Sequence, residues 1–315
     1  MKIIKLSYPH QLVKEKIPET VCAIGFFDGV HLGHQKVIKT AVQYAKEHDL
    51  QSAVLTFFPH PKVVLSNGEQ TVKYITPPIE KQRALKQLGV DCLYTVTFNK
   101  DLSSLLPKQF IDHFIIGLNI KHLVAGFDFT YGYKGKGNMT NIKDYANDQL
   151  TYTTIEKVSY DKKKVSSTYI RSLIESGEMA NVHKLLGRPL QTIGTVVEGN
   201  KRGRTIGFPT ANLDVNDEAL LPAPGVYAVK ATVNGKTHLG MANLGYRPTF
   251  EKDQQKPLLE VHLLDFEKDI YKSELAVQWH TFVREEQKFS SADELISQLQ
   301  HDEQFIRDFF QNEQN

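Results

Sequence analysis

Gly25-Phe26-Phe27-Asp28-Gly29-Val30-His31-Leu32-Gly33-His34 joins two runs of different periodicity. Residues 21–27 are apolar almost throughout, as in a strand buried on both faces, and residues 33–46 repeat at helical spacing. The same alternation recurs on the C-terminal side, with strands at 52–58, 92–98 and 123–126 and helices at 79–88 and 107–116. Strand, helix, strand repetition predicts a parallel sheet with both faces covered. Ligands of such sheets bind beyond the carboxyl ends of the strands, where this segment lies.

His31 and His34 are one helical turn apart, so both can face one point. Backbone N–H groups at the helix start add a partial positive charge there. Gly29 and Gly33 admit a ligand close to the backbone. The combination suits a chain of phosphates, with the histidines donating to phosphorus-bound oxygens as charge builds up. Two other readings stay open. The histidines can cap the helix and pack, or Asp28, His31 and His34 can bind a metal, although no fourth ligand stands nearby. Ser166-Ser167-Thr168-Tyr169-Ile170-Arg171 offers hydroxyls at a helix start and a cation one turn inside. Taken alone, ordinary capping accounts for it.

Past Gly187-Arg188-Pro189 the pattern changes. Runs 225–233 and 236–241 flank Asn234-Gly235, a type I′ hairpin signal. Further strands at 258–264 and 275–283 predict a small antiparallel barrel. A last helix at 290–310 has Ser291 and Glu294 spaced for a capping box, and Leu295, Leu299, Ile306 and Phe310 along one face. Residues 198–213 hold a glycine-rich, cationic flap, followed by Thr210 and Asn212 on one face of an extended segment. Neutral oxygens are donors that Mg2+ accepts. Gly235-Lys236-Thr237 is not a Walker loop, because Lys230 stands where its first glycine belongs. In 258–264, alternation puts Glu260 and His262 on one face and Leu259, Val261 and Leu263 on the other. An acid there is either paired structurally or held for proton transfer.

The chain of 315 residues is long enough for two domains. Lys plus Arg number 38 against 36 Asp plus Glu, a net charge of +2, which argues against a general nucleic-acid or membrane surface. No apolar run reaches the length of a membrane span, and the first residues lack a secretory leader pattern. Cys22 and Cys92 lie in buried-strand patterns without a CxxC pair. A reduced, cytoplasmic chain is expected. Nothing in the sequence speaks to oligomeric state.

GFFDGVHLGH together with SSTYIR resembles the paired signatures of the nucleotidyltransferase superfamily. TFFPHP (56–61) and GFDFTYGYKGKGN (126–138) narrow the likeness to the FMN adenylyltransferase module of bacterial bifunctional riboflavin kinase/FAD synthetases. GRTIGFPTANL (203–213) resembles the riboflavin kinase signature, and GVYAV, NLGYRPTF and LLEVHLLDF follow in that family's order. The likeness implies a Rossmann-like α/β parallel-sheet adenylyltransferase domain over 1–182. An antiparallel β-barrel kinase domain with a C-terminal helix would follow over 183–315. It implies ATP-dependent phosphorylation of riboflavin to FMN, then adenylylation of FMN to FAD with release of pyrophosphate. Mg2+ would be the cofactor and ATP the co-substrate. The partners would be riboflavin, FMN and ATP, with no nucleic acid and no membrane.

By the same likeness, His31 and His34 would contact the ATP phosphates, with Gly25, Phe26, Asp28 and Gly29 beside the nucleotide. Ser167, Thr168 and Arg171 would close over it, and Asp128 would lie by the adenosine or flavin. Phe58, Phe127 and Tyr131 would meet rings. In the kinase, Gly199, Gly203, Arg204, Gly207 and Pro209 would wrap the nucleotide, and Thr210 and Asn212 would hold it with Mg2+. Glu260 would be the catalytic base, with Arg284 and Glu286 near the flavin. Two departures from the pattern are visible. Phe27 stands where a small or polar residue is common, and Glu198-Gly199-Asn200 replaces His-Gly-Asp.

Overall fold

A computed structural model describes residues 1–146, 148–199, 202–246 and 257–313. Contacts gather the chain into two units, Met1–Ser166 and Ser167–Asn315. In the first, six strands form one sheet: β1 (Lys2–Leu6), β2 (Thr20–Ile24), β3 (Gln51–Phe58), β4 (Cys92–Thr97), β5 (Ile120–Gly126) and β6 (Thr151–Ile155). The order is β1-β4-β3-β2-β5-β6, and every neighbouring pair is parallel. β2 is buried along its whole length because both faces are covered. Val21 and Ala23 pack with Val37, Ile38 and Ala41 of α1 (Leu32–Glu47), while Cys22 and Ile24 pack with Phe110 and Phe114 on the opposite side. One strand feeding two cores at period two explains its unbroken apolar sequence. A second helix, α2 (Pro78–Gln87), turns Lys81 and Leu85 inward. Both cysteines are buried free thiols.

From β2 the chain proceeds to β3 and β4 on one side, while β5 and β6 add to the other. The order reverses between β2 and β5, and such a switch point is where open α/β sheets bind ligands. The 25–34 segment follows β2, and Phe127 and Asp128 follow β5.

In the second unit, α3 (Ser167–Glu175) and α4 (Met179–Leu186) precede a closed antiparallel barrel. Its strands are β7 (Leu190–Val197), β8 (Ala211–Val215), β9 (Gly225–Val233), β10 (Lys236–Tyr246), β11 (Pro257–Leu263) and β12 (Glu274–Arg284), in the order β7-β8-β11-β10-β9-β12. Asn234 and Gly235 have φ of 49° and 76°, the pair of left-handed residues that a type I′ turn requires. The final helix, α5 (Ala292–Asn312), packs Ile306 and Phe310 against Val226, Ala228 and Met241 of the barrel wall. Ser291 Oγ accepts from Glu294 N at 3.2 Å, as expected. The Glu294 carboxylate turns to Ser290 N and Oγ, at 2.8 and 2.7 Å, so the return bond of the capping box closes one residue further out.

α3 and α4 pack on the barrel. Ala223 N donates to Ile174 O at 3.3 Å, and α4 lies against β7 and β12. The boundary read at 182/183 falls inside α4, whereas the units divide after Ser166. Residues 200 and 201 of the flap and 247–250 of NLGYRPTF lie outside the described residues.

Candidate active sites

After β2 the backbone turns in an uncommon way. Phe27, Gly29 and Val30 have φ of 50°, 90° and 43°. Left-handed backbone is costly for a bulky residue and more so for a β-branched one, so the turn must be held from outside. Thr56 Oγ1 and Lys81 Nζ both donate to Phe26 O, at 2.9 and 2.8 Å. Thr76 N donates to Asp28 Oδ1 at 3.1 Å, and Gln35 Nε2 to Val30 O at 3.0 Å. The Phe27 side chain is buried, and its ring meets that of His34 edge-on at 5.3 Å. It forms a floor under the histidine, which accounts for a large apolar residue at this position.

His31 is the N-cap of α1, and its Nδ1 accepts from His34 N at 3.2 Å. An accepting Nδ1 places the ring proton of the neutral imidazole on Nε2. The His34 ring stacks on it, centroids 3.5 Å and planes 18° apart. Gly33 makes room for this pair, since a Cβ there would come to 3.1 Å from the His31 ring. The capping expected as an alternative is therefore present, and it engages Nδ1. Among the described residues, no group of three or more His, Cys, Asp or Glu is placed to hold a metal ion.

Asp128 is exposed and pairs with Lys164 Nζ at 2.7 Å. The same ammonium stands 4.8 Å over the exposed ring of Phe127. Phe58, at the end of β3, tilts against Tyr74 at 5.7 Å. Tyr131 lies in the core between Phe110, Phe129 and Tyr145.

In the barrel, Glu260 of β11 stands opposite Asn212 of β8 on one side and Asn243 of β10 on the other. Residues directly across a pair of strands share a face, so the three form a polar row. The row lines a cavity of about 470 Å³ with Gly203, Thr210, His262, Arg284 and Glu286, and with Leu295 and Leu299 of α5. A second cavity of about 430 Å³ shares Thr210 and is lined further by Arg204, Pro209 and 266–271. Gly203 has no room for a side chain against Phe208 O, and Phe208 N donates to Gly203 O at 2.9 Å. With Gly207 at φ 83°, the loop folds back on itself, and its residues line both cavities. Arg284 is held from behind by buried Asp302 of α5, at 2.9 Å from Nε and 2.8 Å from Nη2. His262 Nδ1 donates to Pro209 O at 2.7 Å, and Asn243 Nδ2 to Glu286 Oε1 at 3.3 Å.

Residues 13–169 match the family model for FAD synthetase, and residues 186–310 the model for riboflavin kinase. The chain is 50% identical over 310 residues to the bifunctional riboflavin kinase/FMN adenylyltransferase of Listeria monocytogenes, covering 98% of each chain. The chain belongs to the bifunctional riboflavin kinase/FMN adenylyltransferase family. The Bacillus subtilis member is 47% identical over 313 residues, covering 99% of each chain. A crystal structure described as a macrolide-efflux protein from Streptococcus pneumoniae superposes with a TM-score of 0.87 at 36% identity, covering 98% of this chain and 99% of that one. Among the described residues of the present chain, no helix is long and apolar enough to cross a membrane.

The kinase signature, 203–213, thus spans the folded-back loop and the start of β8, and brings Thr210 and Asn212 to the row that holds Glu260. Ser167, Thr168 and Arg171 of the adenylyltransferase signature lie in the first turns of α3, within the second unit. Their assignment rests on the sequence. Three contributors were not assigned a role from sequence. Lys81 carries a visible signal, an inward helical position one turn before Leu85. Asn243 is recognisable only once the strand register is known, and the bond from His262 to Pro209 spans 53 positions.

Proposed function

We infer that this chain phosphorylates riboflavin to FMN in its barrel unit and adenylylates FMN to FAD in its parallel-sheet unit. The observation that carries the kinase reading is the Asn212–Glu260–Asn243 row beside Thr210, which is common to both cavities. A nucleotide in one cavity and riboflavin in the other would meet at Thr210. The riboflavin 5′-hydroxyl is neutral and must lose a proton as it attacks the γ-phosphorus. A carboxylate on a rigid strand can take it, and Glu260 is that group. Thr210 and Asn212 offer hard, neutral oxygens that suit Mg2+, with substrate phosphates completing the shell. Bound there, the ion would offset phosphate charge. Arg284 and Glu286, which line the same cavity, would face the flavin.

The adenylyl transfer differs in its needs. The FMN phosphate is already an anion and attacks the α-phosphorus of ATP directly, with pyrophosphate leaving. Positioning and charge stabilisation are the main tasks. The Nε2–H of His31, the stacked His34 and the N-terminus of α1 would meet that charge. Phe127 and Asp128, at the switch point, would lie by the flavin or adenosine. Two buried free thiols fit a reducing, cytoplasmic setting.

A crossed pair of variants tests the assignment. His31→Ala is expected to lower FAD synthesis roughly 10²- to 10³-fold and leave riboflavin phosphorylation intact. Glu260→Gln is expected to do the reverse. Parallel loss of both activities in either folded variant would contradict two distinct sites.

A further inference from the structure

Lys81 is 6% exposed at an inward position of α2, where the helical pattern calls for an aliphatic residue. Its Nζ reaches Phe26 O at 2.8 Å and stands 4.6 Å over the Phe26 ring. Burial lowers its pKa to about 8, against the pull of Asp28. Packing does not ask for a cation here. Phe26 O already accepts from Thr56 Oγ1, and Asp28 from Thr76 N, so neither depends on the lysine for a partner. A buried charge that an apolar residue of similar volume could replace is weak evidence of a stabilising role. What distinguishes its position is the peptide it grips, the last one before the left-handed turn at Phe27, Gly29 and Val30. That turn delivers His31 to the start of α1.

We propose that Lys81 is a positioning residue for adenylyl transfer: its buried ammonium fixes the Phe26 carbonyl, holds the 27–30 turn in its left-handed form, and sets a positive charge behind the phosphate cradle. In this role it acts through the turn and touches no substrate. The proposal rests on the reading of the His31–His34 turn as that cradle.

The test uses the full-length chain with Lys81→Met, which keeps the volume and removes the charge. Three quantities are measured: kcat and KM for FAD synthesis from FMN and ATP, the rate of riboflavin phosphorylation, and the unfolding temperature. The expected result is a fall of about 10²-fold in kcat for FAD synthesis, the scale of a misplaced catalytic group. FMN formation stays at the wild-type rate and the unfolding temperature does not drop. A wild-type kcat for FAD synthesis overturns the proposal, whether or not stability changes. If Lys81→Met loses both activities through misfolding, Lys81→Gln carries the test: reduced kcat with normal FMN formation supports it, and wild-type kcat overturns it. His31→Ala run alongside separates the two levels. If His31→Ala also leaves FAD synthesis intact, the cradle reading falls and the proposal with it. If His31→Ala abolishes FAD synthesis while Lys81→Met is normal, only the Lys81 proposal falls.

Discussion

Lys81 is an ionisable side chain in a position that core patterning gives to apolar ones, and its cost can be read as a pH dependence. Its ammonium loses its proton near pH 8 in the folded chain and near 10.5 when unfolded. Below about pH 8 both states are charged, and the fold bears the full burial cost, roughly 3 kcal/mol at 1.36 kcal/mol per pH unit. Between about 8 and 10.5 the unfolded chain binds more protons, so unfolding free energy rises with pH. Above that range the cost is gone. Lys81→Met should therefore be more stable than wild type at pH 7, and the gain should shrink toward zero by about pH 10.5. Unfolding of the two proteins at both pH values checks this; an unchanged difference would show that the lysine is not buried as a cation. The position of Lys81 on its helix was legible, but its purpose was not, because its partner at Phe26 lies 55 residues away.

At the scale of elements, legibility followed how local the governing chemistry is. The buried strand before Gly25, the Asn234-Gly235 hairpin and the Ser291 cap depend on a few adjacent residues, and each is present. The left-handed turn at Phe27 and Val30 was not legible, since neither residue type favours that backbone and the restraints come from β3, α2 and the segment at Thr76. The Asn212–Glu260–Asn243 row needed strand register, which alternation within one strand does not supply. The packing of α4 on β12 was likewise non-local. One element carries a further expectation. α5 buries Asp302, 2% exposed, against Arg284, which lines the cavity proposed to take the flavin. Asp302→Ala leaves that guanidinium without its carboxylate, a change that typically costs 3–5 kcal/mol. Chemical denaturation should show the barrel unit destabilised by about this amount, and the KM for riboflavin should rise. FAD synthesis from supplied FMN should continue. An unchanged KM would remove Arg284 from the proposed flavin site.

For the whole molecule, the division after Ser166 makes a prediction about fragments. A fragment covering 167–315 keeps Ile170, Leu173, Ile174, Met179 and Val182, all buried in α3 and α4. A fragment beginning at 183 removes them and cuts α4. The longer one should fold and phosphorylate riboflavin unaided, and the shorter should melt at a lower temperature or fail to stay in solution. Equal melting curves would show that the two helices add nothing to the barrel. The central claim, that one chain performs two transfers in series, is tested most directly by a time course. Full-length protein is given riboflavin, ATP and Mg2+, and both flavin nucleotides are followed. FMN should appear first and FAD after it, and supplied FMN should be converted to FAD without a lag. Protein that adenylylates FMN but forms none from riboflavin, or that binds flavin without turning it over, would contradict the account.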